Sequence, residues 1–279
     1  MPDSDPQKNL HDILDSPSYR LAYEDVEFLT SPGVRPLRMQ LEFLKPELTL
    51  EREQIQSTIV VFGSTRIVEL AEARRRLEEA RARLAAAPDD TLRQRAVRQA
   101  ERLLARSPYY AAARRFARLV AEHGSQGGRP AYAVMTGGGP GIMEAANRGA
   151  CEAGARSIGL NVSLPLEQRP NPYITPELCF QFHYFAIRKF HFLLRAMALV
   201  VFPGGFGTLD ELFEVLTLRQ TGRMQHIPVI LIGREFWEKV VDFQFLADEG
   251  TISDLDLELF KIVETAEEAW EIIRKFHHF

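Results

Sequence analysis

Ala198-Leu199-Val200-Val201-Phe202-Pro203-Gly204-Gly205-Phe206-Gly207-Thr208-Leu209-Asp210-Glu211 is the stretch that decides the fold. Its first five residues form an apolar run of strand length that ends at proline and glycine, and they predict a buried strand. Leu212, Phe213, Val215, Leu216 and Leu218 follow with helical spacing. A glycine-rich turn from strand to helix exposes backbone N–H groups at a helix N-terminus, where a phosphate can bind. Glu211 lies one turn into that helix. A phosphate cradle with a carboxylate beside it points to chemistry on a phosphorylated ligand rather than binding alone.

Outward from this stretch, apolar runs at 58–62, 131–135, 157–162, 178–182 and 228–232 predict five more strands, most of them separated by helical patterns. Strands alternating with helices predict an α/β, Rossmann-like, doubly wound and mostly parallel sheet. Such sheets bind ligands beyond the carboxyl ends of their strands. Three glycine-bearing turns fall at such ends: Gly63-Ser64, Gly137-Gly138-Gly139-Pro140-Gly141 and the turn after Phe202. Together they predict one mononucleotide pocket. The second turn is not a dinucleotide fingerprint, because Glu144 stands where the third glycine of G-x-G-x-x-G would fall. A Walker A loop is absent as well, so NAD and P-loop ATP chemistry are disfavoured.

Residues 1–53 read as an N-terminal extension packed on the core domain, 54–279, with Leu41, Phe43 and Leu44 as its anchors. Residues 1 to about 15 are expected to be disordered or weakly ordered. The stretch 66–124 exceeds one crossover helix and breaks near Pro88 and at Ser107-Pro108. It predicts three helices. Ser107-Pro108 opens the last, roughly 108–123, as N-cap and proline N1, and that helix is the crossover. The first two form a helical insertion, 66–106. Arg74, Arg75, Arg76, Arg81 and Arg83 alternate there with Glu72, Glu78 and Glu79, which reads as a solvated, ion-paired face rather than an RNA surface. The insertion is expected to serve assembly or stability rather than chemistry.

The 279 residues are 46% hydrophobic and 26% charged, ordinary for a globular domain. The net charge of −4 gives no overall attraction to nucleic acid polymers or anionic membranes. No apolar run reaches the roughly 18 residues of a membrane span, and the acidic N-terminus does not resemble a secretory signal. Cys151 and Cys179 fit a reduced, cytoplasmic protein. No Cys/His spacing suggests a metal site.

Two readings of Glu211 stand open. Thr208-Leu209-Asp210-Glu211 fits the capping box T-x-x-E, which would explain both end residues as helix-start chemistry. Alternatively Glu211 is catalytic. Asp210 and Glu211 diverge by about 100° around a helix, whereas Glu211 and Glu214 share a face and are the better paired carboxylates. Arg188-Lys189 opens the helix before the strand at 198–202, at the ligand edge of the sheet, where Arg188 can clamp an anion in bidentate fashion. His183 and His191 read as structural.

Gly137-Gly138-Gly139-Pro140-Gly141-Ile142-Met143-Glu144, then Arg188-Lys189, then Pro203-Gly204-Gly205-x-Gly207-Thr208-x-x-Glu211 resemble the LOG ("lonely guy") family over roughly 57–235. These are cytokinin riboside 5′-monophosphate phosphoribohydrolases, often labelled lysine decarboxylases. The extension and insertion are similar to longer bacterial members and to nucleotide 5′-monophosphate nucleosidases. The resemblance implies hydrolysis of the N-glycosidic bond of a nucleoside 5′-monophosphate to free base and ribose 5-phosphate, without cofactor or metal. It implies that Arg188 and Glu211 are catalytic. It places Gly205, Phe206, Gly207, Thr208, Leu209, Asp210, Lys189 and Thr217 at the nucleotide, with Glu167 matching an upstream substrate-contacting glutamate. Gly63, Ser64, Gly138, Gly139, Gly204 and Glu214 complete the expected substrate contacts. The family also implies a homodimer or higher homo-oligomer. Short members read M-H-x-R-K where this chain has Phe185-Ala186-Ile187-Arg188-Lys189, a departure that falls on the base pocket. The competing class is a nucleotide carrier or sensor on the same fold. A decarboxylase is not supported, since no lysine lies in a recognisable pyridoxal-phosphate context.

Overall fold

Helix α1 (Pro6–Asp15) opens the chain with the Asp5 carboxylate accepting from the Gln7 N–H at its N-terminus. The structure is a computed structural model and describes residues 5–123, 132–163 and 169–278. Of the stretch to about residue 15 expected to be disordered or weakly ordered, residues 1–4 lie outside the described residues and Pro6–Asp15 is a capped helix that buries none of its side chains. There follow α2 (Val26–Thr30), α3 (Arg35–Arg52), β1 (Ser57–Phe62), α4 (Leu70–Ala85), α5 (Thr91–Arg106) and α6 (Pro108–His123). Next come β2 (Tyr132–Thr136), α7 (Ile142–Glu152), β3 (Ser157–Val162), β4 (Cys179–Phe182), α8 (Phe185–Leu193) and β5 (Ala196–Val201). The chain closes with α9 (Phe206–Gln220), β6 (Val229–Ile232), α10 (Arg234–Val240), α11 (Phe243–Asp248), β7 (Lys261–Val263) and α12 (Ala266–Phe276). No helix among the described residues is long and apolar enough to cross a membrane.

Among the described residues seven strands form one sheet in the order β4-β3-β2-β1-β5-β6-β7, every pair parallel. Parallel strands covered on both faces need apolar side chains on both, and β1 meets that need. Ile59 and Val61 face a cluster with Phe116 of α6 and Ile273 of α12. Val60 and Phe62 face Phe192 of α8 and Leu212 of α9. Burying each such side chain contributes about 1.5–3 kcal/mol. β7 was not foreseen, because three residues carry too little pattern to register as a strand.

Strand order reverses at β1, between β2 and β5, and a crevice opens where loops leave such a point on opposite faces. Pairing continues past the strands. Phe202 N–H donates to the Phe62 carbonyl at 2.8 Å, and Ser64 N–H donates to the Pro203 carbonyl at 3.0 Å. These bonds hold the first and third glycine turns side by side.

The extension docks through α3. Phe43, Pro46 and Leu50 pack inward, whereas Leu41 and Leu44 are exposed, correcting two of the three expected anchors. Helices α4 and α5 form an antiparallel pair, as Arg81–Glu101 at 2.9 Å and Arg93 Nη1 to the Arg83 carbonyl at 2.7 Å require. Asp90 caps α5 by accepting from Leu92 and Arg93 N–H. Along α4, Glu72 pairs with Arg75 and Arg76.

Candidate functional site

A cleft of about 690 Å³ lies at the switch point, within the usual range of small-molecule sites. The turns after β1 and β5 form its floor: Gly63 and Ser64 on one side, Gly204 to Thr208 on the other. Helix α9 starts at Phe206 with Gly205 as N-cap and no side chain capping it. Its first-turn N–H groups have no intrahelical partner and sit at the positive end of the helix dipole.

The glycines of this turn divide by cause. A Cβ on Gly204 would lie 2.1 Å from Thr208 Oγ1, so the fold itself demands glycine there. A Cβ on Gly205 or Gly207 would meet nothing within 4 Å. Protein packing leaves these two positions open, and their bare backbone faces a space a ligand can approach closely.

The capping-box reading of Thr208 and Glu211 is overturned. With the N-cap at Gly205, Thr208 is the third helical residue and Glu211 lies in the second turn. The same T-x-x-E pattern does form a capping box at Thr265 and Glu268 of α12, where both reciprocal bonds are made. Glu211 instead lines the cleft and is 6% exposed. Burial pushes its carboxyl up to about 7; the charges of Lys189 and Arg188 oppose that rise, while Glu214 and Asp210 add to it. A carboxyl poised near neutrality is suited to general acid–base work.

Arg188 lines the cleft from α8. Its Nε donates to the Leu160 carbonyl at 2.8 Å, and its guanidinium lies 5.1 Å from the Phe192 ring centre and 5.8 Å from that of Phe185. Its Nη2 would stand 2.6 Å from a Cβ on Gly137, so the second turn must be glycine for the guanidinium to reach the cleft. Burial lowers the Arg188 pKa and the Glu211 charge opposes this.

The other expected contacts separate. Lys189 Nζ lies 2.9 Å from Asp210 Oδ2 and 2.9 Å from Glu214 Oε2. Burial works against its charge, but the two carboxylates outweigh it and raise its pKa. Glu214 is not part of the cleft lining, and among the described residues the carboxylates that line it are Asp210 and Glu211. Leu209 packs against the core, and Thr217 is exposed with its hydroxyl bonded to the Phe213 carbonyl. Gly138 and Gly139 turn away from the cleft, their carbonyls within 3.2 Å and 3.1 Å of Asn171 Nδ2; Gly137 lines it instead. Glu167 lies outside the described residues. His191 is buried between Phe43 and Phe182, 3.2 Å from Glu47.

The sequence reading missed one wall. Gln99, Arg102, Leu103 and Arg106 of α5 line the cleft, with Arg66 from the loop after β1 and Phe236 of α10. The spacing i, i+3, i+4, i+7 put them on one helix face. The arginines read as a solvated face, Arg74 to Arg83, lie on α4, whereas this stripe on α5 carries the insertion to the cleft, where assembly or stability alone was expected of it.

A family model described as "possible lysine decarboxylase" matches residues 143–273. The chain is 34% identical over 94 residues to cytokinin riboside 5′-monophosphate phosphoribohydrolase LOG7 of Arabidopsis thaliana, covering 33% of this chain and 42% of that protein. It is 32% identical over 91 residues to the probable enzyme LOGL3 of Oryza sativa subsp. japonica, covering 32% and 43%. The matched part thus spans less than half the length of these curated relatives. Among solved structures, the Moco carrier protein from Chlamydomonas reinhardtii is similar at 19% identity and a TM-score of 0.45, over 79% of this chain and 96% of that one. The stretch matched by the family model carries Arg188, Lys189 and Glu211, and in its motifs and its matched relatives the chain resembles the LOG family.

Proposed function

We propose that this protein hydrolyses the N-glycosidic bond of a nucleoside 5′-monophosphate, releasing the free base and ribose 5-phosphate. The observation that carries the reading is Glu211: buried, free of any capping role, and facing the cleft beside an open phosphate cradle. The 5′-phosphate would rest on the N–H groups of Gly205, Phe206 and Gly207. That anchor fixes the ribose relative to Glu211 and removes much of the entropic cost of orientation. Loss of the base leaves oxocarbenium character on the sugar, which a carboxylate stabilises. Water adds its oxygen to C1′ and gives a proton to Glu211 as general base. The C1′–N bond breaks with its electron pair going to the base, which takes up a proton. Arg188 would hold substrate oxygens and keep positive charge against the Glu211 carboxylate.

The substrate class includes the cytokinin riboside 5′-monophosphates of the relatives' names. Assembly as a homodimer or larger homo-oligomer belongs to the same proposal; Phe206, 92% exposed at the cleft rim, is a side chain a second copy could cover. The test is incubation with a panel of nucleoside monophosphates, scoring free base and ribose 5-phosphate. AMP should yield adenine, and adenosine, lacking the anchor, should react poorly. Tight AMP binding with no base released after long incubation would make the protein a nucleotide carrier instead.

A further inference from the structure

Three guanidinium groups of the cleft have no part in the chemistry just described. Arg102 and Arg106 stand one turn apart on α5, and Arg66 projects from the loop after β1, whose Ser64 and Gly63 form the cleft floor. Among the described residues none of the three makes an ion pair, although the Arg106 charge reaches Glu235 of α10 and helps to lower that carboxyl's pKa. Elsewhere this protein pairs its arginines densely: Arg114, Arg118 and Arg148 all meet Glu152, and Arg75 and Arg76 share Glu72. Arg106 is oriented by the Phe236 ring, 5.2 Å from its guanidinium carbon, a contact that fixes direction without neutralising charge.

The charge balance shows what is left over. Among the described residues the cleft lining holds Arg66, Arg102, Arg106 and Arg188 against Asp210 and Glu211. Asp210 is already matched by Lys189. A single phosphate on the backbone cradle needs none of the α5 arginines, because helix N–H groups satisfy it. Adjacent unpaired guanidinium groups in a concave site bind planar or tetrahedral oxyanions through charge-assisted, often bidentate bonds.

We propose that α5 and the β1 turn form a second anion subsite, so that the preferred ligand is a nucleotide bearing a second phosphoryl group, with Arg66, Arg102 and Arg106 as its specificity-determining residues. This rests on the 5′-phosphate occupying the Gly205–Gly207 cradle. The second group is attached either to the first phosphate or elsewhere on the ribose, and both sources share the chemistry. The subsite also gives the helical insertion a role: it carries the wall that reads the additional charge.

The experiment is equilibrium binding of AMP, ADP and adenosine 3′,5′-bisphosphate to the full chain, in a Glu211→Gln background so that the ligands persist. At least one two-phosphate ligand should bind tighter than AMP by about tenfold or more, as one further charge-assisted contact provides. Which of the two binds tighter places the second phosphoryl group. Arg102→Ala/Arg106→Ala should bring that ratio toward one, and Arg102→Lys/Arg106→Lys should retain part of it. If the alanine pair fails to fold by thermal melt, Arg102→Gln/Arg106→Gln replaces it. Equal affinity for all three ligands, or a preference that survives the double substitution, overturns the subsite. Base release from AMP by the wild-type chain is scored separately. Its absence sinks the nucleosidase reading without touching the affinity ratio.

Discussion

Glu42 accepts a hydrogen bond from the Tyr184 N–H at 3.0 Å, which ties α3 of the N-terminal extension to the N-cap of the helix that carries Arg188. Its other oxygen takes the His183 N–H at 2.8 Å. The cap of α8 is therefore supplied from 141 or more residues upstream in the chain. Glu42→Ala should cost about 1 kcal/mol, the usual worth of a cap. It should also lower base release, because Arg188 sits in the first turns of the loosened helix. A thermal melt and a rate on the same preparation check this; a lost melt temperature with an unaltered rate would make Glu42 a purely stabilising cap.

Glu211 sets the pH behaviour. Its folded pKa of about 7 lies above the ordinary 4.5. The raised value means that the protonated form is favoured in the fold, so its stabilising contribution is complete below about pH 4.5 and is lost as pH rises through 7. The loss amounts to about 3 kcal/mol at most. Glu211→Gln does not titrate. The melting temperature of that variant should therefore gain on the wild type as pH rises through this window. Base release should rise over the same range, as the carboxylate needed for general-base action forms. A pH-independent difference in melting temperature would remove the shift.

Arg188→Lys should leave the fold intact and cut turnover by about 100-fold, the scale of losing an oriented donor in a water-poor site. Lysine keeps a charge but cannot bond the Leu160 carbonyl and present two further nitrogens to the cleft at once. Near-normal turnover would reduce Arg188 to a packing role between Phe185 and Phe192.

The two kinds of glycine should separate cleanly. Gly204→Ala drives a Cβ into Thr208 and should destabilise the protein by about 1–3 kcal/mol. Gly207→Ala meets open space in a helical position and should hold or raise stability by about 0.5 kcal/mol. It should nevertheless weaken AMP binding by about tenfold, as a phosphate held at close approach is pushed off its backbone donor. Unchanged AMP affinity in Gly207→Ala would move the phosphate elsewhere in the cleft.

Much of this was legible in the residues. Six of the seven strands found among the described residues announce themselves as apolar runs, four of them closed by Gly63, Gly137, Pro203 or Gly233, and Ser107-Pro108 marks the crossover helix. The sheet order places β1 beside β5, so Gly63 and Gly204 meet as their positions suggested. What stayed hidden depended on tertiary geometry. Helix α9 starting at Phe206 rather than after Thr208 decides between capping and cleft for Glu211, and a T-x-x-E string cannot decide it, since Thr265 and Glu268 use that string to cap. The pairing of Lys189 with Glu214 joins two helices across 25 residues of sequence, beyond any local pattern. The α5 wall was present as spacing, but only the fold of the antiparallel pair sets Arg102 and Arg106, both exposed, along the cleft.

The most direct measurement compares Glu211→Gln with the wild type for AMP binding and for adenine release, on the same preparations at a pH above 7. Glutamine keeps the length and shape of glutamate but carries no charge and accepts no proton at this pH. AMP affinity should largely persist, because the Gly205–Gly207 backbone is untouched. Adenine release should fall by a factor on the order of 100 or more, as when an acid–base group is lost. A variant that releases adenine at the wild-type rate would contradict the assignment of Glu211 as the catalytic carboxylate.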